Sequence, residues 1–162
     1  HAQLAQRGLT EDTVEPDLTA AQASMLERYV EAFWRKDVET IVSMLTHEAV
    51  WEMPPFTGWY LGREAIGQLI GGQCPGGVHD MPMIPTVANG QPAFGLYMRT
   101  PEGDFIPFHL QVLDLVGDQV RHVGAFFDPA LFETFGLPAR LPSGYEPPPL
   151  TAALTAATAA AR

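Results

Sequence analysis

The chain predicts an α+β domain, with three N-terminal helices packed on one face of a curved, mostly antiparallel sheet. Three observations carry this. Apolar stripes at three- and four-residue spacing are confined to the first half of the chain. Alternating segments rich in Val, Phe and Tyr follow from Met81 onward. Asn89-Gly90 and Gly117-Asp118 punctuate those segments as hairpin turns. Helices that precede a run of strands segregate to one face of the sheet. A curved sheet then encloses a hollow against the helices, and pockets form in such places.

The elements follow in order. Thr19 and Gln22 fit a capping box, and Leu26, Tyr29, Val30, Phe33 and Trp34 form the stripe of the first helix. Asp37 caps a second helix, with Val38, Ile41, Val42 and Leu45 on one side. Ala49 to Met53 reads as a short strand, ended by Pro54-Pro55. Phe56 to Tyr60 reads as an aromatic loop. A third helix spans Arg63 to Leu69, with Ile66, Leu69 and Ile70 as its apolar side, and the glycines from Gly71 onward break it. Four strands then make an antiparallel meander: Met81–Ala88, Gln91–Arg99, Phe105–Leu115 and Val120–Phe127. Ala130 to Phe135 has room for a turn or two of helix. Residues 1–18 read as the end of a helix, stopped by Gly8, and an acidic linker, 19–136 as the domain, and 137–162 as a Pro-rich then Ala/Thr-rich tail.

The 162 residues suit one domain, and 46% apolar residues suffice for a core. No apolar run reaches the roughly 18 residues of a membrane span. Cys74 is the single cysteine, which excludes an internal disulfide and a Cys-rich zinc site. A formal charge of −10 repels phosphate, so this chain by itself is a poor nucleic-acid binder. Its start at His1 rather than Met makes it an expected piece of a longer protein.

The segment LERYVEAFWRKDVETIVSMLTHEAVWEMP, then GREAIG, then the meander resemble the SnoaL-like branch of the nuclear-transport-factor-two-like superfamily, over residues 22–136. That resemblance implies the cone-shaped fold of the superfamily. WEMPPFTGWYLGREAIG, ANGQPAFGLYMR, LQVLDL and FFDPALFETFGLP together resemble the C-terminal domain of certain bacterial extracytoplasmic-function sigma factors, and HAQLAQRG resembles the end of their DNA-recognition helix. The narrower resemblance implies a cytoplasmic regulatory domain without catalysis of its own. Its implied partners are the sigma modules of the same polypeptide and core RNA polymerase, with promoter DNA bound only through upstream modules. No cofactor is implied. A homodimer through the outer face of the sheet and a small apolar ligand stand as further expectations.

The superfamily also holds enzymes, so the chemistry has to be read residue by residue. Ketosteroid isomerases use a carboxylate base with an oxyanion hole of tyrosine and protonated aspartic acid. By resemblance Tyr29 stands at the tyrosine, Gln111 near the second donor, and Met53 at the base. A thioether cannot take a proton from carbon at neutral pH. Glu52 is adjacent but of opposite parity, so it points away. The epoxide hydrolases of the superfamily pair two aspartates through an arginine. Asp128 matches one of them, yet Phe94–Met98, where its partners belong, has neither acid nor arginine. Asp128 before Pro129 also reads as a helix cap. His109 and Gln111 share a strand face, and parity leaves open whether that face lines the hollow. Trp51, Met53, Trp59, Tyr60, Phe33 and Tyr97 complete the candidate pocket, with core packing as their alternative role. Exposed members of the Phe56–Tyr60 loop would mark a docking surface.

Overall fold

The computed structural model describes residues 18–148. Helix α1 spans Ala20–Arg35 and α2 spans Val38–Ser43. Strands β1 (Leu45–Glu52) and β2 (Trp59–Leu61) follow, then α3 (Gly62–Gln68), which runs on into a π-helical turn over Leu69–Gln73. Strands β3 (Met83–Ala88), β4 (Gln91–Arg99), β5 (Phe105–Val116) and β6 (Gln119–Phe126) complete the sheet, and α4 (Ala130–Thr134) packs after it. The strand order is β2-β1-β6-β5-β4-β3, and every pairing is antiparallel except β1 with β6. The α+β class, the helices on a curved sheet and the four-strand meander are therefore as expected.

Local chemistry sets the helix ends. The Thr19 hydroxyl accepts from the Gln22 backbone N–H at 3.0 Å, and the Gln22 side-chain Oε1 accepts from the Thr19 N–H at 3.0 Å, a reciprocal box. Asp37 accepts from the Thr40 N–H at 3.2 Å and opens α2. Between these helices Lys36 is left-handed (φ 50°), and its ammonium donates to the carbonyls of Cys74, at 3.1 Å, and of Gly76. One side chain thus ties the helix corner to the loop after the π-turn.

Three boundaries differ from expectation. Strand β1 starts at Leu45 rather than Ala49, because parallel pairing with β6 begins there at Leu45↔Val120. The loop assigned to Phe56–Tyr60 is partly strand. Gly58 (φ 91°) turns the chain so that Trp59–Leu61 pairs antiparallel with Val50–Glu52. The third helix does not stop at Gly71. The Cys74 N–H reaches back five residues to the Leu69 carbonyl at 3.1 Å, and the wider turn buries both Leu69 and Ile70.

The core has two parts, one on each face of the sheet. Between helices and sheet lie Met25, Leu26, Tyr29, Phe33, Ile41, Trp51, Ile66, Phe94, Leu96 and Leu113. On the far face Tyr97, Phe105, Leu110 and Phe126 pack against Phe132, Phe135, Leu137 and Leu141. The chain after β6 thus laps back across β4 and β5, held by mutual bonds between the Phe105 and Leu141 backbones at 3.0 and 2.9 Å. The assigned segments 1–18 and 137–162 lie largely outside the described residues.

Gly95 lies under that lap. A Cβ there would stand 2.7 Å from Leu137 Cδ1 and 2.9 Å from Phe132 Cε2. Gly95→Ala is therefore expected to lose about 1–3 kcal/mol of stability, the usual range for overpacking. Urea unfolding measures it, and an unchanged midpoint would show that the lap does not press on β4.

Candidate functional site

A pocket of about 370 Å³ opens between α1, the π-turn and the concave face of the sheet. That volume lies in the usual range for small-molecule sites, about 300–1,000 Å³. Phe33 of α1, Trp51 of β1 and Met53 form one side. Leu69, Ile70, Gln73, Cys74 and Pro75 form another, and Leu96, Phe108, His109 and Phe127 close the sheet side. Phe56 stands at the rim with 61% of its surface exposed and meets Phe127 edge to face at 5.5 Å.

Behind this wall runs a buried polar relay. The Tyr29 hydroxyl donates to Gln111 Oε1 at 2.8 Å, and Gln111 Nε2 lies 3.0 Å from His109 Nε2. With its oxygen taken by tyrosine, the amide can offer His109 only its NH₂ group. His109 Nε2 is then the acceptor, and a neutral imidazole carries its proton on Nδ1. Burial alone pulls the His109 pKa down to about 3, so the ring is neutral at physiological pH. Burial also pushes the Tyr29 hydroxyl above its ordinary value. Two buried nitrogens in the pocket wall, Trp51 Nε1 and His109 Nδ1, have no hydrogen-bond partner among the described residues.

Of the residues singled out in the sequence, Phe33, Trp51, Met53 and His109 meet in the pocket, and Tyr29 and Gln111 stand directly behind it. Tyr60 is half-buried at the edge, its hydroxyl 3.4 Å from Gln73 Oε1. Three residues depart from the candidate set. Trp59 is 64% exposed on the edge strand and is not among the residues that line the pocket. Tyr97 is buried on the opposite face and donates to the Pro138 carbonyl at 2.7 Å. Alternation along β4 explains this, since Phe94 and Leu96 take the helix side and leave Tyr97 the other. Asp128 is exposed and accepts from the Ala130 N–H at 3.1 Å, the cap reading of that residue.

Sequence reasoning missed the π-turn residues and the full sheet side. Leu69 and Ile70 carried a signal, their helical period, but Gln73 to Pro75 read only as a breaker. Phe108 had none. The register between β4 and β5 slips between Leu96↔His109 and Tyr97↔Pro107, so Phe108 is an extra residue in β5. The bulge turns Phe108 and its neighbour His109 to the same side, which strict alternation forbids.

The lining is poor in acid–base groups. Among its described residues none is a carboxylate, lysine or arginine. Glu52 faces away, 2.5 Å from His122 Nε2. Arg99 is committed elsewhere, to Asp80 at 3.1 Å and to the Gly103 and His79 carbonyls. Burial raises the Cys74 thiol pKa, which opposes a thiolate nucleophile. What remains can enclose an apolar body and present neutral donors.

The relay makes unequal demands on its members. Tyr29→Phe strands one acceptor and is expected to cost about 1–3 kcal/mol. Gln111→Leu strands both the hydroxyl and His109 Nε2, and should cost more, about 2–5 kcal/mol. Chemical denaturation of both variants checks the order. His109 also makes stability depend on pH. Unfolded, it binds a proton below about pH 6.5, while the folded ring stays neutral down to about 3. Stability is therefore full above pH 6.5 and falls as pH drops from there, by about 2 kcal/mol at pH 5. Asp37 and Asp104, held below the carboxylate range chiefly by the Thr40 and Thr100 hydroxyls, act at lower pH. Unfolding at pH 7.5 and pH 5 should show the loss in the wild type, and a smaller loss in His109→Gln.

No family model matches the chain. Over 128 residues it is 51% identical to the ECF RNA polymerase sigma factor SigG of Mycobacterium tuberculosis, covering 78% of this chain and 34% of that protein. The chain thus spans about a third of the length of that curated relative. In fold it is similar to an NTF-2 like protein of unknown function from Burkholderia xenovorans, at a TM-score of 0.56 and 13% identity, over 82% of this chain and 91% of that one. It is also similar to a protein of Kribbella flavida provisionally named a ketosteroid isomerase, at 0.54 and 19%, over 81% and 84%. Those low identities speak for the fold alone. Sequence and architecture together identify the chain as a SnoaL-like domain of nuclear-transport-factor-two-like fold, of the kind carried by extracytoplasmic-function sigma factors.

Proposed function

We propose that the chain is the regulatory C-terminal domain of an extracytoplasmic-function sigma factor and tunes transcription initiation without catalysis of its own. The observation that carries this is the 51% identity to SigG across most of the domain. The domain would contact the sigma modules of the same polypeptide or core RNA polymerase, and promoter DNA would be met only by modules upstream. A charge of −10 supports that division, since it favours basic protein surfaces and disfavours phosphate.

Two structural features support the reading. Met53, which the isomerase resemblance matches to the carboxylate base, lines the pocket as a thioether, and Tyr29, matched to the oxyanion tyrosine, is bonded to an amide. Phe56, Trp59 and Leu61 are each more than 60% exposed within six residues of chain. Apolar side chains on an exposed edge strand invite a partner, and interface cores are enriched in aromatics.

The full-length factor and a form lacking residues 19–162 should differ several-fold in promoter-dependent transcription by reconstituted polymerase. Equal activity of the two forms would overturn the proposal.

A further inference from the structure

The pocket wall is apolar apart from a few neutral groups, and two of its buried donors have nothing to bond. Trp51 Nε1–H is a donor in every state. His109 Nδ1–H is a donor because the Tyr29–Gln111 pair occupies Nε2 as an acceptor. Both side chains are more than nine-tenths buried, and both line the same pocket. Their rings meet edge to face, with centroids 6.4 Å apart. Buried donors are ordinarily satisfied, and orphans in a pocket wall call for an acceptor from outside. Water would serve a polar cavity, but this one is walled by Phe33, Met53, Leu96 and Phe127.

We propose that the pocket binds a flat, uncharged, largely apolar molecule bearing a carbonyl oxygen, which accepts from Trp51 Nε1–H and His109 Nδ1–H. A flat shape suits a lining rich in rings, to which Phe33, Trp51, Phe108 and Phe127 contribute. Neutrality follows from the lining, which has no charged side chain among its described residues to offset a buried ion. A carboxylate ligand is thereby excluded, although it too would accept hydrogen bonds. The acceptor is needed for selectivity, because an apolar wall alone barely distinguishes a ketone from a hydrocarbon of equal shape. Phe127 packs on His109 at 4.9 Å and Phe56 on Phe127, so these two rings yield as the oxygen reaches the imidazole. What such a ligand would be for rests on the regulatory reading, since occupancy shifts docking only if one docked state binds it better.

Three naphthalenes of one shape test the proposal: 2-acetonaphthone, the hydrocarbon 2-isopropenylnaphthalene and 2-naphthoate, titrated into the ¹⁵N-labelled 162-residue chain. The chain has three tryptophans, so its spectrum carries three indole N–H signals. Trp34→Phe and Trp59→Phe assign two of them and leave Trp51 as the third. The ketone is expected to bind at least about fivefold tighter than the hydrocarbon, the yield of one net hydrogen bond. It should also bind tighter than the carboxylate and displace the Trp51 indole signal. Equal affinity for ketone and hydrocarbon, tighter binding of naphthoate, binding that moves only the Trp34 or Trp59 signal, or no binding at all would each overturn it. None of these readouts involves transcription, so a failure here is distinct from a failure of the regulatory reading.

Discussion

A hydroxyl, an amide and an imidazole can share a dry interior only if each satisfies the next. That constraint governs the middle of this domain. Tyr29 comes from the first helix, and Gln111 and His109 come from one strand far along the chain. Their bonding therefore fixes the rotation of α1 against β5, and with it the width of the space between. The ordering also decides which imidazole nitrogen holds the proton. A different residue at Gln111 would change the chemistry presented to the pocket without touching the pocket itself.

The same relay differs from the carboxylate-based site of the ketosteroid isomerases that the sequence resembles. A proton-transfer site needs groups whose affinities for a proton differ in opposite directions from the ordinary. Here burial holds His109 neutral and raises Tyr29, with no ionised group beside either in the wall. The hollow thus has the donors of a binding site, and Met53, matched by resemblance to the isomerase base, lines it as a thioether. Glu52, one residue away, is turned outward to His122 by the two-residue period of β1.

Much of the fold was legible because the local signals agreed with one another. The capping box at Thr19, the cap at Asp37 and the Asn89-Gly90 turn each appear as read, with Asn89 and Gly90 both at positive φ. Alternation placed Trp51 and Met53 together and sent Glu52 away. It failed where geometry departs from period two or 3.6. The bulge at Phe108 and the π-turn after Gln68 each insert a residue, and both sit at the pocket. Tyr97 shows a different limit. Both faces of β4 are apolar because both are covered, so composition could not tell the hollow from the far side.

That far-side cover has a consequence for assembly. A homodimer through the outside of the sheet is one expectation that the sequence raises. Here Phe132, Leu137 and Leu141 occupy that ground over β4 and β5, as a built-in bandage closed by the Phe105–Leu141 backbone pair. A shortened form ending at Gly136 would keep Phe132 on Tyr97 but lose Leu137 and Leu141, stripping Phe105 of part of its cover. Trimming at the Pro138–Pro142 stretch would in that way expose apolar surface that the chain's own end now covers.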